Sequence, residues 1–201
     1  GPMVMAGVVV TPEQAEQLRN MGVKDSKLIP PAKREDMFEV IKKIVTSYKI
    51  IILSPQEIDN ALNSPDSNLN KLEGVATAQI INELKPEKAI LDCPSTNIQS
   101  YEEFVKERVE DKNVKFVTER KADLNYIEPG AASILAKVTR DAEIDKLRKI
   151  YGETGPGYPA NPITQAFLKA NWKKHPELFR QTWATYKRIA KAEAQKNLGD
   201  Y

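Results

Sequence analysis

Residues 89–123 read AILDCPSTNIQSYEEFVKERVEDKNVKFVTERKAD, and this stretch decides the fold class. It opens with a short apolar strand that ends at Asp92, and a second apolar strand, residues 114–118, leads to Asp123. The segment between the two strands predicts a helix, and Asp123 follows Asp92 by 31 positions, the length of one strand–helix–strand unit. Adjacent strands of an α/β sheet would therefore bring both carboxylates to one edge of the sheet.

Two ionised carboxylates at one sheet edge repel each other. At a separation of about 4 Å and an effective dielectric near 20, the repulsion is roughly 4 kcal/mol. Either one carboxyl group keeps a proton, or a divalent cation lies between the two. Mg²⁺ and Mn²⁺ prefer oxygen ligands, and paired Mg²⁺ ions clamp phosphoryl oxygens during in-line displacement. The structural alternative is that Asp92 caps the following loop and Asp123 caps a turn, and on position alone that alternative is the better one.

Strands and helices alternate along the rest of the chain, which favours an α/β sheet flanked by helices. Thr11 and Ser54 each begin a capping box, and Ser100 is expected to cap the helix between the two apolar strands. The last fifty residues predict a helical extension that packs on the sheet domain. We therefore divide the chain into a core, residues 1–151, and a C-terminal loop and helical region, residues 152–201.

The composition restricts the class of protein. With 201 residues, 41% of them hydrophobic and 29% charged, the chain can bury one sizeable core and is not a disordered tail. One cysteine excludes a disulfide within the chain, and one histidine leaves carboxylates as the carriers of any chemistry. The sequence shows neither a bilayer-spanning run nor a signal pattern, so we expect a cytoplasmic protein without membrane contact. The net charge of +2 does not by itself indicate nucleic-acid binding.

Local groups nevertheless suit a nucleic acid. The candidates for contacts with it are Lys24, Lys27, Lys137, Arg140 and Tyr158. Basic residues around a carboxylate site fit a phosphate backbone, and a tyrosine in a loop rich in glycine and proline can stack on a sugar or a base. The alternative for each basic residue is a solvated surface position, and the alternative for the ring is that it covers an edge of the core.

Six segments, taken in order, resemble the ribonuclease HII family, the type 2 ribonucleases H, and its archaeal members most closely. The segments are GPMV at 1–4, VKDSK at 23–27, AILDCPSTN at 89–97, KAD at 121–123, AASILAKVTRD at 131–141 and GPGYP at 155–159. The resemblance covers nearly the whole chain, and the order of the six motifs makes it specific.

The resemblance implies a ribonuclease H-like mixed sheet flanked by helices, with a C-terminal helical extension. It implies an endonuclease that cuts the RNA strand of RNA–DNA hybrids, including ribonucleotides embedded in duplex DNA. It also implies two Mg²⁺ or Mn²⁺ ions held by four carboxylates, among which Asp92 and Asp123 would be ligands. Tyr158 would lie under the deoxyribose beyond the RNA–DNA junction. The expected partner is a hybrid or a ribonucleotide-containing duplex, and the expected state is a monomer.

The largest departure from the family pattern is at the start of the sequence. The family begins with a strand that carries Asp-Glu-Ala-Gly-Arg-Gly just ahead of a run like Gly1–Val4, and this chain starts at that run. We therefore expect the chain as it stands to hold divalent ions weakly and to have little or no activity. Two alternatives stay open. One is a module of the same fold that binds hybrid duplexes without cutting them, and the other is an α/β domain of unrelated role in which the aspartates are structural caps.

Overall fold

The computed structural model describes residues 1–23 and 29–199. Contacts within the chain divide it into two compact units. The sheet unit comprises Val4–Ile52 and Leu69–Thr139, and the C-terminal unit comprises Gly1–Met3, Leu53–Asn68 and Arg140–Tyr201. The division at residue 152 that the sequence suggests stays a prediction.

Strands and helices alternate through the described residues, as the sequence predicts. In chain order the elements are β1 (Met3–Val9), α1 (Pro12–Asn20), α2 (Pro31–Ile44), β2 (Ser47–Leu53), α3 (Pro55–Leu62), α4 (Leu69–Leu84), β3 (Lys88–Asp92), α5 (Ile98–Arg108), β4 (Lys115–Glu119), α6 (Ala122–Asn125), α7 (Ile127–Tyr151), α8 (Pro162–Asn171) and α9 (Ala184–Gly199). A 3₁₀ turn, Pro176–Leu178, lies between α8 and α9. Among these helices, none has the length and apolar character that crossing a bilayer requires.

The helix starts show how local sequence fixes the elements. Thr11 caps α1 and Ser54 caps α3, and both predicted capping boxes are confirmed, each with a proline in the first turn. The cap predicted at Ser100 is wrong. Helix α5 begins at Ile98, and the side chain of Asn97 accepts a hydrogen bond from the Ser100 amide. Asparagine competes as well as serine for an N-cap, so the earlier residue sets the start.

The strands form two pairs, both in the sheet unit apart from the ends of β1 and β2. Strands β3 and β4 are parallel, with Asp92 opposite Glu119 in the register. Strand β1 pairs with β2. The Thr46 amide donates to the Val9 carbonyl at 2.9 Å, which joins the end of β1 to the start of β2, as in an antiparallel pair. The fold is therefore of the mixed α/β class, with helices as the connections.

Two apolar clusters make the core of the sheet unit. One cluster gathers residues from α1, α2, α7 and the ends of the loops beside them, namely Leu18, Val23, Met37, Ile41, Val45, Ile127, Ala131, Ile134 and Leu135. The other surrounds β3 and α5 with Ala78, Ile81, Ala89, Leu91, Cys93, Tyr101, Val105, Val109 and Val114. Leu91 and Cys93 both belong to the second cluster and Asp92 lies between them, so burial of its neighbours fixes the position of this aspartate.

The C-terminal unit depends on a buried carboxylate in α3. Asp59 is 8% exposed, and its two oxygens accept hydrogen bonds from three donors. The donors are the amide of Gln181 at 2.7 Å, the amide of Thr182 at 3.0 Å and the Thr182 hydroxyl at 2.6 Å. This one side chain therefore ties α3 to the segment that leads into α9.

Replacing Asp59 with alanine should lower the free energy of unfolding by about 3 kcal/mol, because the change leaves buried donors without an acceptor. Urea unfolding followed by circular dichroism measures the loss. The matched control is Asp36→Ala on the exposed surface of α2, for which we expect a change within about 0.5 kcal/mol. An equal effect of the two substitutions would contradict an anchoring role for Asp59.

Candidate functional site

The segments that carry the two predicted aspartates meet where β3 and β4 end. Asp92 is the last residue of β3, and Asp123 lies in the short helix α6 that follows β4. The Ala122 amide donates to the Asp92 carboxylate at 3.1 Å, so the residue next to Asp123 is in direct contact with Asp92. The Cys93 amide also donates to the Glu119 carbonyl at 2.8 Å and extends the pairing past the strand ends. Parallel pairing thus brings the two segments to one edge of the sheet, as the 31-residue spacing predicts, and the proximity of the two carboxylates stays a prediction.

The turn that carries Asp123 has unusual backbone geometry. Lys121 has φ 59° and ψ 39°, a left-handed conformation that is uncommon for a residue with a side chain. Behind the turn, Gly130 of α7 packs so closely that a Cβ there would lie 3.3 Å from the Asp123 carbonyl and 3.2 Å from the Val23 carbonyl. A strained turn and a close helix contact together hold Asp123, which is 4% exposed, in a fixed place.

A cavity of about 940 Å³ opens inside the sheet unit next to Asp92. Strands β1 and β3 line it together with α4 and α7. All seven residues of β1 are only half-buried, although the strand is apolar throughout. A continuous apolar strand is typical of the centre of a sheet, where both faces are covered. The cavity therefore lies beside a strand whose sequence suits a more buried position.

Glu128 is a further carboxylate near the site, one that its sequence context does not mark as a site residue. It lies in the first turn of α7, is half-buried and lines the same cavity as Asp92. Its position five residues after Asp123 is the only signal in the sequence, and such spacing is common in helices without function. The helix α7 starts four residues earlier than the predicted start at Ala131, and this difference brings Glu128 to the cavity.

The acidic residues present do not fit a pair of metal ions. Within residues 1–23 and 29–199, no three side chains of aspartate, glutamate, histidine or cysteine come close enough together to hold one. Two carboxylates suit a single Mg²⁺ ion that keeps several waters and takes further ligands from a phosphate. That Asp92 and Asp123 are metal ligands therefore stays a prediction, and such a site would need further ligands from other groups.

The single cysteine has no role in this chemistry. Burial raises the pKa of the Cys93 thiol, and the sulfur is close enough to donate weakly to the Ser95 carbonyl at 3.5 Å. A nucleophilic cysteine needs a lowered pKa and access to substrate, and Cys93 is 5% exposed. The structure agrees with its interpretation as a small buried residue of the core.

The predicted basic contacts fall in different parts of the chain. Lys24 and Lys27 lie outside the described residues. Lys137 is a half-buried residue of α7 in the sheet unit. Arg140, on the same helix, belongs to the C-terminal unit, and its side chain is 16% exposed. The guanidinium lies over the ring of Tyr158, with 4.2 Å between the guanidinium carbon and the ring centroid.

Tyr158 lies in the loop between α7 and α8 and is 47% exposed. The Asn161 amide donates to the Tyr158 carbonyl at 3.0 Å, and the Asn161 side chain caps α8. The Gly157 amide donates to the Thr164 hydroxyl, also at 3.0 Å. These contacts fix the loop backbone on the N-terminus of α8, while the ring stays accessible, as a group that stacks on a ligand must be.

Comparison with known families identifies relatives over nearly the whole chain. The sequence model of the family described as Ribonuclease HII matches residues 1–186. Ribonuclease HII of Pyrococcus furiosus is 42% identical over 194 residues, which cover 94% of this chain and 84% of that protein. Ribonuclease HII of Thermofilum pendens is 41% identical over 197 residues, covering 94% and 92% of the two chains.

Solved structures agree with the sequence comparison. The ribonuclease H2 of Pyrococcus horikoshii superposes with a TM-score of 0.82 at 31% identity, covering 96% of this chain and 98% of that one. The ribonuclease HII of Archaeoglobus fulgidus, solved as a complex with PCNA, gives a TM-score of 0.82 at 33% identity, covering 94% and 89%. The fold class predicted from the sequence, a mixed sheet with helices and a C-terminal helical part, is confirmed.

Proposed function

The chain belongs to the ribonuclease HII family, and from that membership we propose that it hydrolyses the RNA strand of RNA–DNA hybrids and cuts at ribonucleotides embedded in duplex DNA. The observation that carries the proposal is the contact between the Ala122 amide and the Asp92 carboxylate. It brings the Asp92 and Asp123 segments to one place at the ends of parallel strands, where α/β folds build their sites.

The cofactor we propose for this site is a divalent cation, either Mg²⁺ or Mn²⁺. Bound in a pair, such ions activate the attacking water and stabilise the leaving oxygen. Asp92 and Asp123 would be ligands, but the described residues do not complete a two-ion centre. The proposal therefore includes the expectation that the chain as it stands cuts slowly or not at all, since a site with two carboxylates binds Mg²⁺ poorly.

The other candidates have roles in holding the duplex. Tyr158 would stack under the deoxyribose that follows the ribonucleotide, and its exposed ring in a fixed loop supports that role. The lysines Lys24, Lys27 and Lys137 would contact phosphates. Recognition of the 2′-hydroxyl is what separates RNA from DNA at such a site. We propose further that the protein acts as a monomer in the cytoplasm.

A second candidate function is binding of hybrid duplexes without cleavage. Such a module needs the basic and aromatic groups but no metal site, and residues 1–23 and 29–199 bring no three acidic, histidine or cysteine side chains together to hold an ion. Binding that weakens steeply with salt, together with no cleavage under any divalent metal, would support this alternative. Cleavage by a form with a complete carboxylate set would exclude it.

The decisive experiment adds a carboxylate pair ahead of residue 1. We define the strand-extended chain as this chain preceded by a strand that carries the family motif Asp-Glu-Ala-Gly-Arg-Gly. The substrate is a DNA duplex with one ribonucleotide, assayed with Mn²⁺, and the control is the same duplex without it. We expect the strand-extended chain to cut at least about 100-fold faster than the chain as it stands, since each 1.36 kcal/mol of transition-state stabilisation is tenfold in rate. An extended chain that folds but leaves the ribonucleotide duplex intact would contradict the proposed function.

A further inference from the structure

The guanidinium of Arg140 is already engaged within the protein. Its central carbon lies 4.2 Å from the centre of the Tyr158 ring, and its Nη1 donates to the Asp141 carboxylate at 3.0 Å. The side chain is 16% exposed, whereas a residue that contacts phosphates needs its charge in solvent. These three observations argue against a role of Arg140 as a phosphate contact. They indicate instead that its guanidinium acts on the ring of Tyr158.

Gly157, the residue before the tyrosine, makes room for this contact. It has φ +77°, a conformation that glycine adopts without strain. A Cβ at this position would lie 2.9 Å from Nη2 of Arg140 and 2.9 Å from Cδ1 of Ile144. The loop therefore admits the guanidinium at a place where a larger residue would push it away from the ring.

The loop backbone is fixed on both sides of Tyr158. Thr164 accepts a hydrogen bond from the Gly157 amide, and the Asn161 amide donates to the Tyr158 carbonyl. With the backbone fixed, the orientation of the ring is set by its two side-chain torsions. A cation placed over an aromatic face restricts those torsions, because displacement of the ring loses the attraction.

We propose that Arg140 is a positioning residue that holds the Tyr158 ring in the orientation that stacks on the sugar of a bound duplex. That this sugar is the deoxyribose after a ribonucleotide depends on the proposed function. That Arg140 positions the ring depends only on the contact between the side chains of Arg140 and Tyr158. A ring that is oriented before binding loses less conformational entropy in the complex, so the contact raises affinity for the duplex.

The contact is tested first in the protein alone. The chain is labelled with ¹³C at the ring ε carbons of tyrosine, and the Tyr158 signal is assigned with Tyr158→Phe. We expect Arg140→Gln to move this signal toward the value of free tyrosine and Arg140→Lys to move it less. The matched control Arg148→Gln, on the same helix in ion pairs with Asp145 and Glu153, should leave the signal unchanged. An unchanged signal in Arg140→Gln overturns the positioning role.

The effect on recognition is tested by binding. Anisotropy at low salt and without divalent metal measures the affinity of the chain as it stands for two duplexes, one with a single ribonucleotide and one a continuous RNA–DNA hybrid. The hybrid has no deoxyribose after the ribonucleotides in the strand to be cut. We expect Arg140→Gln to weaken binding of the first duplex about fivefold and of the hybrid less than twofold. In a background of Tyr158→Ala, Arg140→Gln should have no further effect.

The two experiments separate this inference from the function it rests on. A loss of equal size for both duplexes, additive with Tyr158→Ala, would make Arg140 a phosphate contact and overturn the inference. If the unsubstituted chain binds neither duplex, the proposed function fails, and the ring signal still decides whether Arg140 positions Tyr158.

Discussion

Asp92→Asn and Asp123→Asn should each lower the cleavage rate of the strand-extended chain by about 1000-fold. If the proposed function holds, each substitution removes a negative oxygen ligand from a site that needs divalent charge against the scissile phosphate. A metal ion stabilises the transition state by several kcal/mol, and about 4 kcal/mol corresponds to a factor of 1000 in rate. Single-turnover cleavage of the duplex with one ribonucleotide, at saturating Mn²⁺, measures the effect.

Asparagine is the informative substitution because it preserves local structure. The amide oxygen of Asn at position 92 can still accept the hydrogen bond from Ala122, so the turn that carries Asp123 stays in place. A structural cap would therefore lose little in either activity or stability, whereas a metal ligand loses its charge. Asp111→Asn, in an exposed turn of the sheet unit, is the matched control and should leave the rate unchanged within twofold.

Metal binding distinguishes the two interpretations of the aspartates without relying on cleavage. Calorimetric titration of Mn²⁺ into the chain as it stands should show weak binding that both substitutions remove. If Asp92→Asn leaves both the Mn²⁺ affinity and the cleavage rate unchanged, the aspartate is a structural cap and the nuclease mechanism loses its basis.

Local signals explain why much of the fold could be predicted from the sequence. Thr11 and Ser54 are followed at the correct distance by side chains that complete a capping box, so the starts of α1 and α3 depend on neighbours only. The 31-residue interval between Asp92 and Asp123 is the length of one strand–helix–strand unit. Parallel pairing of β3 and β4 then brings the ends of the two strands to the same edge of the sheet. Ser100 and Asn97 compete for one helix start, and a difference of a few tenths of a kcal/mol decides between them.

The parts that could not be predicted depend on residues far apart in the sequence. The contact of Arg140 with Tyr158 requires the course of the chain between α7 and α8, which no periodicity encodes. Glu128 reaches the cavity because α7 begins earlier than its apolar pattern indicates. The cavity depends on how β1 and β3 are placed relative to each other. An apolar strand sequence predicts that the strand is covered on both faces, but it does not identify the elements that cover it.

The placement of β1 and β3 predicts a second large effect. Each of these strands pairs with one neighbour in the described residues, and both line the cavity of about 940 Å³. A strand with an unpaired edge exposes amide and carbonyl groups that pair readily with other chains. We therefore expect the chain as it stands to self-associate at high concentration and the strand-extended chain to be a monomer, as measured by light scattering after gel filtration.

The same extension should raise stability. A strand in the cavity would bury apolar side chains against Ile80 and Leu84 of α4 and Ala132 of α7, and it would pair with exposed backbone. Because burial of apolar side chains and pairing of the exposed backbone oppose the entropy cost of ordering the added segment, we expect a net gain of about 3 kcal/mol. For a chain of this size that gain raises the thermal midpoint by roughly 6 to 12 °C.

The matched control is an extension of equal length with two prolines at the centre of its strand. Proline removes the amides that a central strand must donate, so this extension adds the same residues without being able to pair on both sides. We expect it to leave the thermal midpoint within about 2 °C of the chain as it stands. If the proline-containing extension stabilises the protein as much as the original one, the added segment acts outside the cavity. Strand pairing beside Asp92 is then not what completes the site.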